Sequence, residues 1–517
     1  MRRLRPDEPL AGALAGGRLG VGPVAFFVLA AAAPLTVVAG VLGTSFGVTG
    51  AVSLGLPVAF ALVGVVLTVF ATGYVAMSRH LPHAGAFYAY AGHGLGRPLG
   101  VGAAWVSLVS YNLLQTALYG VVGAAVGPLV QDAAGVTPPW WAVALAAWAL
   151  VAALGVLRID LNTTVLAVLL VAEVVLVVVY DVVWLAGPGH GPAWSMLSPG
   201  ALRAPGAGGV LAICVLGFVG FESTVVLAEE VVRPRVTIPR TTYLAIGVIG
   251  VLYGVSAWAM GTAAGTDRIV EASREQGPDL VFALARARLG DGAATAGHVL
   301  FATSVVAAMI SFHATTARYA FALGRERVLP AVFGRTSRSG SPRAGSVAQS
   351  LLGLGVIVLV LACGWDPVLG LFYVGGVSGA LGVLFLLVVA AASVVGFFAR
   401  DRRGEPWWHC RLAPALSVAT LGAMLALVVG NFAGLLGVPE SSPLRWGVPI
   451  AYLVAGTTGC GYGLVLRVLR PQVYAVIGRG AKAALGTAAP GTDRPRNRSP
   501  YATLEPNGPL TEARWER

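Results

Sequence analysis

Two glutamates stand inside long apolar stretches of this chain, where an acidic side chain needs an explanation. Glu173 lies in AVLLVAEVVLVVVYDVV, and Glu222 follows Gly217 and Gly220 in LGFVGFES. A charged side chain costs roughly 2.5–3.5 kcal/mol at the centre of a bilayer on insertion scales. Acids kept at that cost commonly bind a proton, an ion or a substrate, so these two positions are the first candidates for chemistry.

The composition indicates that both acids lie in a membrane. The mean hydropathy is +0.78, 56% of the 517 residues are hydrophobic and 11% are charged, whereas a soluble domain carries about a quarter charged residues. Apolar runs long enough to cross a bilayer recur along the chain. We predict twelve transmembrane helices, approximately at 21–45, 51–77, 97–128, 139–157, 160–187, 208–228, 241–264, 293–323, 345–363, 367–398, 413–437 and 447–469.

The basic residues predict the orientation of these helices. With a cytoplasmic N-terminus, most of the 35 Lys and Arg fall on the cytoplasmic side, as the positive-inside rule requires. The exceptions are Arg203, Arg268, Arg274, Arg286, Arg288 and Arg445. The net charge of +12 is spread over short loops that would face an anionic leaflet, so a lipid bilayer is the expected partner and nucleic acid is not. The tails 1–20 and 471–517 are predicted to be disordered and cytoplasmic.

No enzyme signature is present. The seven histidines form no HExxH motif, no GxSxG or Walker A loop occurs, and the four cysteines are scattered without close pairs. We therefore predict no catalytic residue, no metal site and no cofactor.

Two of the predicted helices are interrupted. Helix one contains AAAAPLTVVAG with Pro34 at its centre, and helix six contains Gly217 and Gly220. The two are five spans apart and would cross in opposite directions, as in transporters built from inverted repeats. Unpaired backbone groups at such breaks can bind a substrate's carboxylate and ammonium. The alternative is a proline kink and close glycine packing, both common in membrane bundles.

Three segments carry a family resemblance. GFVGFESTVVLAEEVVRPRVTIPR, SRHLPHAGAFYAYAGHGLGRPLG and SFHATTARYAFALGRERVLP resemble helix six, the first intracellular loop and the end of helix eight of amino acid-polyamine-organocation permeases. The resemblance implies an all-α, leucine-transporter-type fold with helices one and six unwound at the midplane. Helices one to five (21–187) and six to ten (208–398) would form the inverted repeats, and helices eleven and twelve (413–469) would complete a transporter domain at 21–470.

The resemblance also implies a substrate site. The helix-one backbone would hold a substrate carboxylate, and Phe218 would close over the substrate from outside. The substrate-binding residues implied or suggested are Ala33, Pro34, Leu35, Thr36, Phe218, Gly220, Phe221, Asn112 and Gln115. Asn112 and Gln115 belong to a polar stripe on helix three, for which hydrogen bonding between helices is an equal alternative.

Glu173 and Glu222 are the predicted coupling residues. Glu173 lies where proton-coupled or exchanging relatives often carry Lys, so the sign of the charge is reversed. We hypothesise that Glu173 accepts a proton or binds a cation and thereby couples protonation to movement of helix one. The alternative is a neutral side chain bonded to helix-one carbonyls. Glu229 and Glu230 are expected to pair with Arg233 and Arg235 near the cytoplasmic end of helix six, or to form a solvated turn.

These features together predict a secondary transporter of the plasma membrane that moves an amino acid or related amine by alternating access, most simply in symport with protons. An antiporter that exchanges an amino acid against its product, and a non-transporting sensor with the same fold, are the alternatives. The oligomeric state is left open.

Overall fold

A computed structural model describes residues 19–157, 163–187, 191–203, 205–336 and 341–480 of the chain. Over these residues the protein is helical, and its β-type pairing is limited to one isolated bridge between Leu19 and Val231. The all-α prediction is confirmed for this part of the chain. Of the predicted tails, 1–20 and 471–517, residues 1–18 and 481–517 lie outside the described residues.

Nineteen α-helices follow one another along the described residues, joined by short 3-10 and π-helical turns. In chain order they are α1 (Val21–Ala32), α2 (Gly43–Thr49), α3 (Leu56–Ser78), α4 (Ala86–Gly94), α5 (Arg97–Ala134), α6 (Trp140–Leu157), α7 (Thr163–Ala186), α8 (Ala207–Phe218), α9 (Ser223–Val226), α10 (Pro234–Ala264), α11 (Ile269–Gln276), α12 (Leu280–Leu289), α13 (Asp291–Arg325), α14 (Arg343–Cys363), α15 (Gly375–Arg400), α16 (Ala413–Gly430), α17 (Phe432–Leu436), α18 (Gly447–Leu469) and α19 (Pro471–Val476).

Ten helical segments of the described chain are long and apolar enough to cross a membrane. One of them, Val21–Ser78, has 58 residues, far more than the roughly 20 that one crossing needs, and it contains α1, α2 and α3. A shorter apolar helix covers Trp140–Val156. The protein is therefore a multi-pass membrane protein, and the count of twelve crossings stays a prediction.

Helix α7 shows how the sequence orients a membrane helix. Five of its residues face the protein interior and are buried at a spacing of three or four, namely Glu173, Val177, Tyr180, Asp181 and Trp184. The opposite face carries exposed valines: Val168, Val171, Val175, Val178 and Val182. This helical period puts both acids of α7 inside the bundle and, over residues 167–186, leaves apolar side chains toward lipid.

The long helix α5 forms the middle of the bundle and packs against α13, α15 and α18. Helix α1 lies between α7, α10 and α13, and α8 lies between α3, α15 and α16. The interrupted helices one and six are therefore surrounded by other helices. By contrast α18, at the edge, leaves Leu453, Leu464 and Val468 exposed.

The ordered structure continues beyond the predicted end of the transporter domain at residue 470. Helix α19 follows directly, Ile477 is buried among Tyr88, Leu323 and Leu466, and Gly478 and Gly480 donate backbone hydrogen bonds to Glu326. The prediction of a disordered tail is therefore wrong for residues 471–480, which pack against the bundle. The Gly- and Arg-rich composition of this segment is typical of disorder. The sequence could not show otherwise, because the bonds to Glu326 use peptide groups, which leave no mark in a sequence.

Candidate functional site

Helix one breaks at Ala33, immediately before the proline. Helix α1 ends at Ala32, Ala33 has a left-handed backbone with φ 46°, and π-helical turns then cover Thr36–Leu42. Pro34 has no N–H and its ring disfavours helical geometry in the residue before it. The chain therefore leaves and re-enters helical geometry within two residues.

The first two amides after this break bond to side chains instead of to the preceding turn. Leu35 N donates to Glu173 Oε1, and Thr36 N donates to Ser304 Oγ at 3.3 Å. Ser304 Oγ in turn donates to Glu173 Oε1 at 2.5 Å and accepts from Thr36 Oγ1 at 2.9 Å. The carboxyl group of Glu173 thus binds one amide of the helix-one backbone, the region to which the family resemblance assigns the carboxylate of a substrate.

Helix six breaks next to the break in helix one. Helix α8 ends at Phe218, Val219 is extended with ψ 133°, and Gly220 has φ 117°. A Cβ at Gly220 would lie 3.1 Å from Ala31 Cβ and from Ala32 N. Only glycine combines this backbone angle with so close an approach, so Gly220 is the point at which the two breaks touch.

Glu222 closes the break in helix six from within. Its Oε2 accepts from Gly220 N at 2.9 Å, and its Oε1 accepts from the Tyr111 hydroxyl of α5 at 2.7 Å. The Tyr74 hydroxyl of α3 donates to the Glu222 carbonyl at 3.3 Å. Glu222 is fully buried, and these bonds tie the break to two neighbouring helices.

A small cavity of about 40 Å³ lies beside the two breaks, with room for about three water molecules. Among the described residues that line it, Thr36 is the one with a polar side chain. The lining residues are Ala31, Ala32, Ala33, Thr36, Val37, Val41, Leu114, Ala117, Leu118, Leu216, Val219, Ala308, Phe312, Phe372 and Gly376. They come from helices one, three, six, eight and ten of the predicted order.

Comparison with known proteins decides the family. A model of the family described as amino acid permease matches residues 22–458. The chain belongs to the amino acid permease family. The predicted recognition, an amino acid-polyamine-organocation permease, is confirmed by this match.

Two further comparisons agree. The permease is 25% identical over 421 residues to the low-affinity putrescine importer PlaP of Escherichia coli strain K12, covering 78% of this chain and 86% of the importer; PlaP of Escherichia coli O157:H7 matches equally. Crystal structures of an Eremococcus coleocola manganese transporter share its fold. The complex with an aromatic bis-isothiourea compound has a TM-score of 0.53 at 13% identity, and the match covers 88% of this chain and 98% of the transporter. A mutant form has a TM-score of 0.50 at 14% identity, and that match covers 86% of this chain and 92% of the transporter.

Some of the predicted substrate-site residues lie at the cavity or at the helix breaks, and others do not. Ala33 and Thr36 line the cavity, Pro34 breaks the helix, Leu35 bonds to Glu173, and Gly220 forms the contact between the breaks. The aromatic side chains of helix six, Phe218 and Phe221, do not line the cavity.

Phe218 packs between α3 and α10, away from the cavity. Its ring centroid is 5.9 Å from that of Phe60, and its Cζ lies beside Gly64 and Gly250. Leu216 and Val219 share the face of the helix that meets the cavity, and a residue two positions from Leu216 faces nearly the opposite way. Phe218 therefore lies away from the cavity in this conformation, and the role that the resemblance implied for it stays a prediction.

The polar stripe of helix three also turns away from the cavity. Asn112 Nδ2 donates to Leu108 O at 2.6 Å within its own helix, and Gln115 Nε2 lies 3.4 Å from the Tyr119 hydroxyl. The cavity instead meets Leu114, Ala117 and Leu118. Both bonds lie within α5, so they are not the bonds between helices that formed the alternative, and the substrate role of Asn112 and Gln115 stays a prediction.

Two aromatic residues that the sequence did not single out line the cavity, Phe312 of α13 and Phe372 before α15. The Phe372 ring reaches Gly40, where an added Cβ would lie 2.9 Å from its Cζ. No local motif marks either phenylalanine, because each faces the cavity only through the packing of its helix against helix one. The sequence signal that could have indicated Phe312 was its spacing of four residues from Ala308, which places both on one face of a helix.

One end of the bundle, which we call the basic end, gathers acids and arginines from residues 79–85, 229–233 and 318–334. The partners differ from those predicted. The two terminal nitrogens of Arg325, Nη1 and Nη2, donate to the Glu229 carboxylate oxygens at 2.9 and 2.8 Å. Arg318 Nε donates to Glu230 Oε1 at 2.8 Å. Burial alone would raise the pKa of Glu229, but the hydrogen bonds and charge of Arg325 and the charge of His83 lower it below its ordinary value.

Glu326 is the most enclosed acid of the basic end. It is fully buried and accepts from His83 Nε2 at 2.9 Å, the Tyr88 hydroxyl at 2.5 Å, and Gly478 N and Gly480 N at 2.6 Å each. Burial alone would raise the pKa of this carboxyl, yet the bond and charge of His83, with the donors Tyr88 and Gly478, lower it. The described residues contain no cluster of His, Cys, Asp and Glu that could hold a metal ion.

Proposed function

We propose that this permease is a secondary active transporter that carries an amino acid or related amine across the plasma membrane by alternating access. The observation that carries the proposal is the contact of two broken helices at Gly220 and Ala31 beside an internal cavity. Breaks at such a place expose peptide groups that can hold the charged ends of a small substrate.

The size of the cavity and the contacts that close the bundle at its two ends support alternating access. A volume of about 40 Å³ is too small for an amino acid, so this conformation is a closed one that must expand. At the basic end the pairs Arg325–Glu229 and Arg318–Glu230 bind the chain after helix six to α13. At the opposite end Ser273 bonds to Gly43 and Gly47 and holds α11 over α2. Opening either side means parting one of these sets.

The lining favours a compact substrate with an apolar body. The relative PlaP is named for putrescine, a diamine, whose two cationic ends would call for acidic partners. Among the described residues no acidic side chain lines the cavity, and Glu222 and Glu173 already accept hydrogen bonds from the breaks. We therefore place a neutral amino acid or a monoamine ahead of a diamine.

Glu173 supplies the coupling to protons in this proposal. As a carboxylate it accepts bonds from Leu35 N and Ser304 Oγ, and hydrogen bonds to an ionised acceptor are roughly twice as strong as neutral ones. Protonation would remove that charge and weaken the hold on helix one. A cavity of about 20 Å³ lined by Phe26, Ala30 and Thr303 adjoins the carboxyl, enough for about one water that could bring the proton.

Uptake into proteoliposomes tests the proposal. Labelled amino acids and amines would be offered with and without an imposed pH gradient, and with and without internal substrate. Gradient-driven uptake supports symport, a strict need for internal substrate would show an antiporter, and binding without uptake would show a sensor. Glu173→Gln should keep binding but lose the gradient dependence, whereas Glu440→Gln, at an exposed position, should behave as wild type. A Glu173→Gln protein with full gradient dependence would contradict the coupling role.

A further inference from the structure

A second acid lies on the inner face of α7. Asp181 is 3% exposed, and its Oδ2 accepts from Ser256 Oγ of α10 at 2.8 Å. Its Oδ1 is buried and has no hydrogen-bond partner. One turn further along the same face, the buried indole Nε1 of Trp184 also lacks a partner. The carboxyl group therefore keeps one free lone-pair oxygen inside the membrane region.

Among the described residues, the helices around Asp181 bring no counter-charge to it. Helix α10 contributes Ser256 and, one turn earlier, Tyr253; α13 contributes His298, whose Nε2 lies 3.1 Å from Asp279. The guanidinium of Arg288 in α12 lies near Gly187, beyond the end of α7, and α1 has no titratable side chain. An ionised Asp181 would be an unpaired charge in a low-dielectric interior, the costliest state a carboxyl can have there.

We propose that Asp181 is a second proton-binding site of the transporter, placed between the outer solution and Glu173. The inference rests on the proposed proton-coupled function and deepens it. Oδ1 is the atom that takes the proton, because Oδ2 already accepts from Ser256. A proton bound there neutralises the acid and explains how a carboxyl with one donor persists in this interior.

The positions of these residues along α7 and α10 indicate the direction in which a proton would move. Asp181 lies eight residues after Glu173, about 12 Å along α7, toward the end at Ala186 that the charge distribution predicts to face outward. Ser256 and Tyr253 are three residues apart on one face of α10, and the Tyr253 hydroxyl donates to Ala32 O at 2.8 Å, at the break of helix one. The hydroxyls of Ser256 and Tyr253 thus lead from Asp181 toward the break that Glu173 holds.

The transfer balances without any further reactant. A hydronium ion of the outer solution gives its proton to Oδ1 of ionised Asp181, forming a neutral carboxyl and water. The O–H bond of Asp181 then breaks as an O–H bond forms on the Glu173 carboxylate, so that Asp181 becomes ionised when Glu173 becomes neutral. Glu173 releases this proton to the cytoplasmic solution, and the next outer proton restores neutral Asp181.

Infrared spectroscopy and transport test the inference together. In lipid bilayers at neutral pH, the wild type should show a carbonyl band of a protonated carboxyl that Asp181→Asn removes. The same variant should lose about tenfold of its gradient-driven uptake, a coupling of the usual size for linked sites, and keep exchange at equal pH on both sides. Asp181→Glu, which keeps the acid, should restore gradient-driven uptake. Ser256→Ala keeps the acid but removes its donor, and should shift the band.

The outcomes separate this inference from the function on which it rests. Absence of the band in the wild type, or unchanged gradient-driven uptake in a folded Asp181→Asn protein, overturns the role of Asp181 even where Glu173→Gln abolishes gradient dependence. A wild type without gradient-driven uptake overturns the proposed coupling and this inference with it. If Asp181→Asn does not fold, Ser256→Ala decides: a wild-type band and wild-type uptake would overturn the inference.

Discussion

Gly220 shows at the scale of one residue how closely the two breaks are fitted. Its φ of 117° is strained for any residue with a Cβ, and that atom would lie 3.1 Å from Ala31 and Ala32. We expect Gly220→Ala to lower the unfolding free energy by about 1–3 kcal/mol and to reduce uptake. Thermal unfolding of the purified protein measures the first effect.

Gly247 provides the matched control for that substitution. It lies within α10, and a Cβ there would meet no atom within 4 Å. Gly247→Ala should therefore leave the melting temperature unchanged or raise it slightly, since alanine is the better helix former. Equal melting temperatures for Gly220→Ala and wild type would show that the breaks do not pack as described.

Phe312 and Phe218 should differ when each is replaced by alanine. Phe312 lines the cavity, so Phe312→Ala enlarges it and should let bulkier amino acids or amines raise the melting temperature through binding. Phe218 packs against Phe60 outside the cavity, so Phe218→Ala should cost about 3–5 kcal/mol of stability while the ligand preference stays that of wild type. A ligand screen by thermal shift on both variants checks this, and a changed preference only in Phe218→Ala would contradict it.

At the scale of elements, both breaks use the same device. In each, a buried carboxylate accepts from a backbone amide of the break and from a hydroxyl on a neighbouring helix: Glu173 with Leu35 and Ser304, Glu222 with Gly220 and Tyr111. The arrangement satisfies amides that a continuous helix would have paired. It also makes each break sensitive to the charge on one acid.

The segment that follows α18 is held to the basic end by Glu326. The lowered pKa of this carboxyl means that its ionised form stabilises the folded state. That stabilisation is complete above the ordinary glutamate value of 4.5 and is lost as pH falls through the lower pKa of the folded protein. We expect acid to loosen residues 471–480, and Glu326→Gln to loosen them already at neutral pH.

Limited proteolysis near Arg479 measures this loosening. The neighbouring Tyr88 keeps its proton, because burial and the Glu326 charge raise its pKa, so Glu326 is the group that responds to acid. Glu440→Gln, an exposed position far from this contact, is the control. Unchanged cleavage in Glu326→Gln at neutral pH would show that α19 does not depend on the carboxylate.

At the scale of the whole molecule, the distribution of basic residues predicts that both termini are cytoplasmic. The basic end includes Arg79, Arg318 and Arg325, whereas the opposite end, at α11, is covered by contacts of Ser273. A reporter that is active only in the cytoplasm, fused after residue 517, should be active. A reporter active only outside, fused at the same place, should be silent, and the reverse result would invert the direction assigned to the Asp181 site.

Much of the architecture could be predicted because it depends on periodic or local signals. Apolar runs of bilayer length, Pro34 and Gly220 at the breaks, and Glu173 on an inward face all follow from the rise and period of a helix. Partners across the bundle could not be predicted this way. Glu229 was expected to pair with its sequence neighbours, and Arg325, 96 residues away, binds it instead.

The sequence by itself determined that this protein crosses a membrane many times, that proline and glycine interrupt two of its predicted helices, and that two glutamates stand inside apolar stretches, because composition, proline, glycine and burial cost act locally. Only the tertiary structure decided that Glu173 accepts from the Leu35 amide after Pro34, that Phe312 lines the cavity and Phe218 does not, and that Asp181 keeps a free oxygen beside Ser256. These outcomes depend on which faces of distant helices meet, and helix packing sets that for the bundle as a whole.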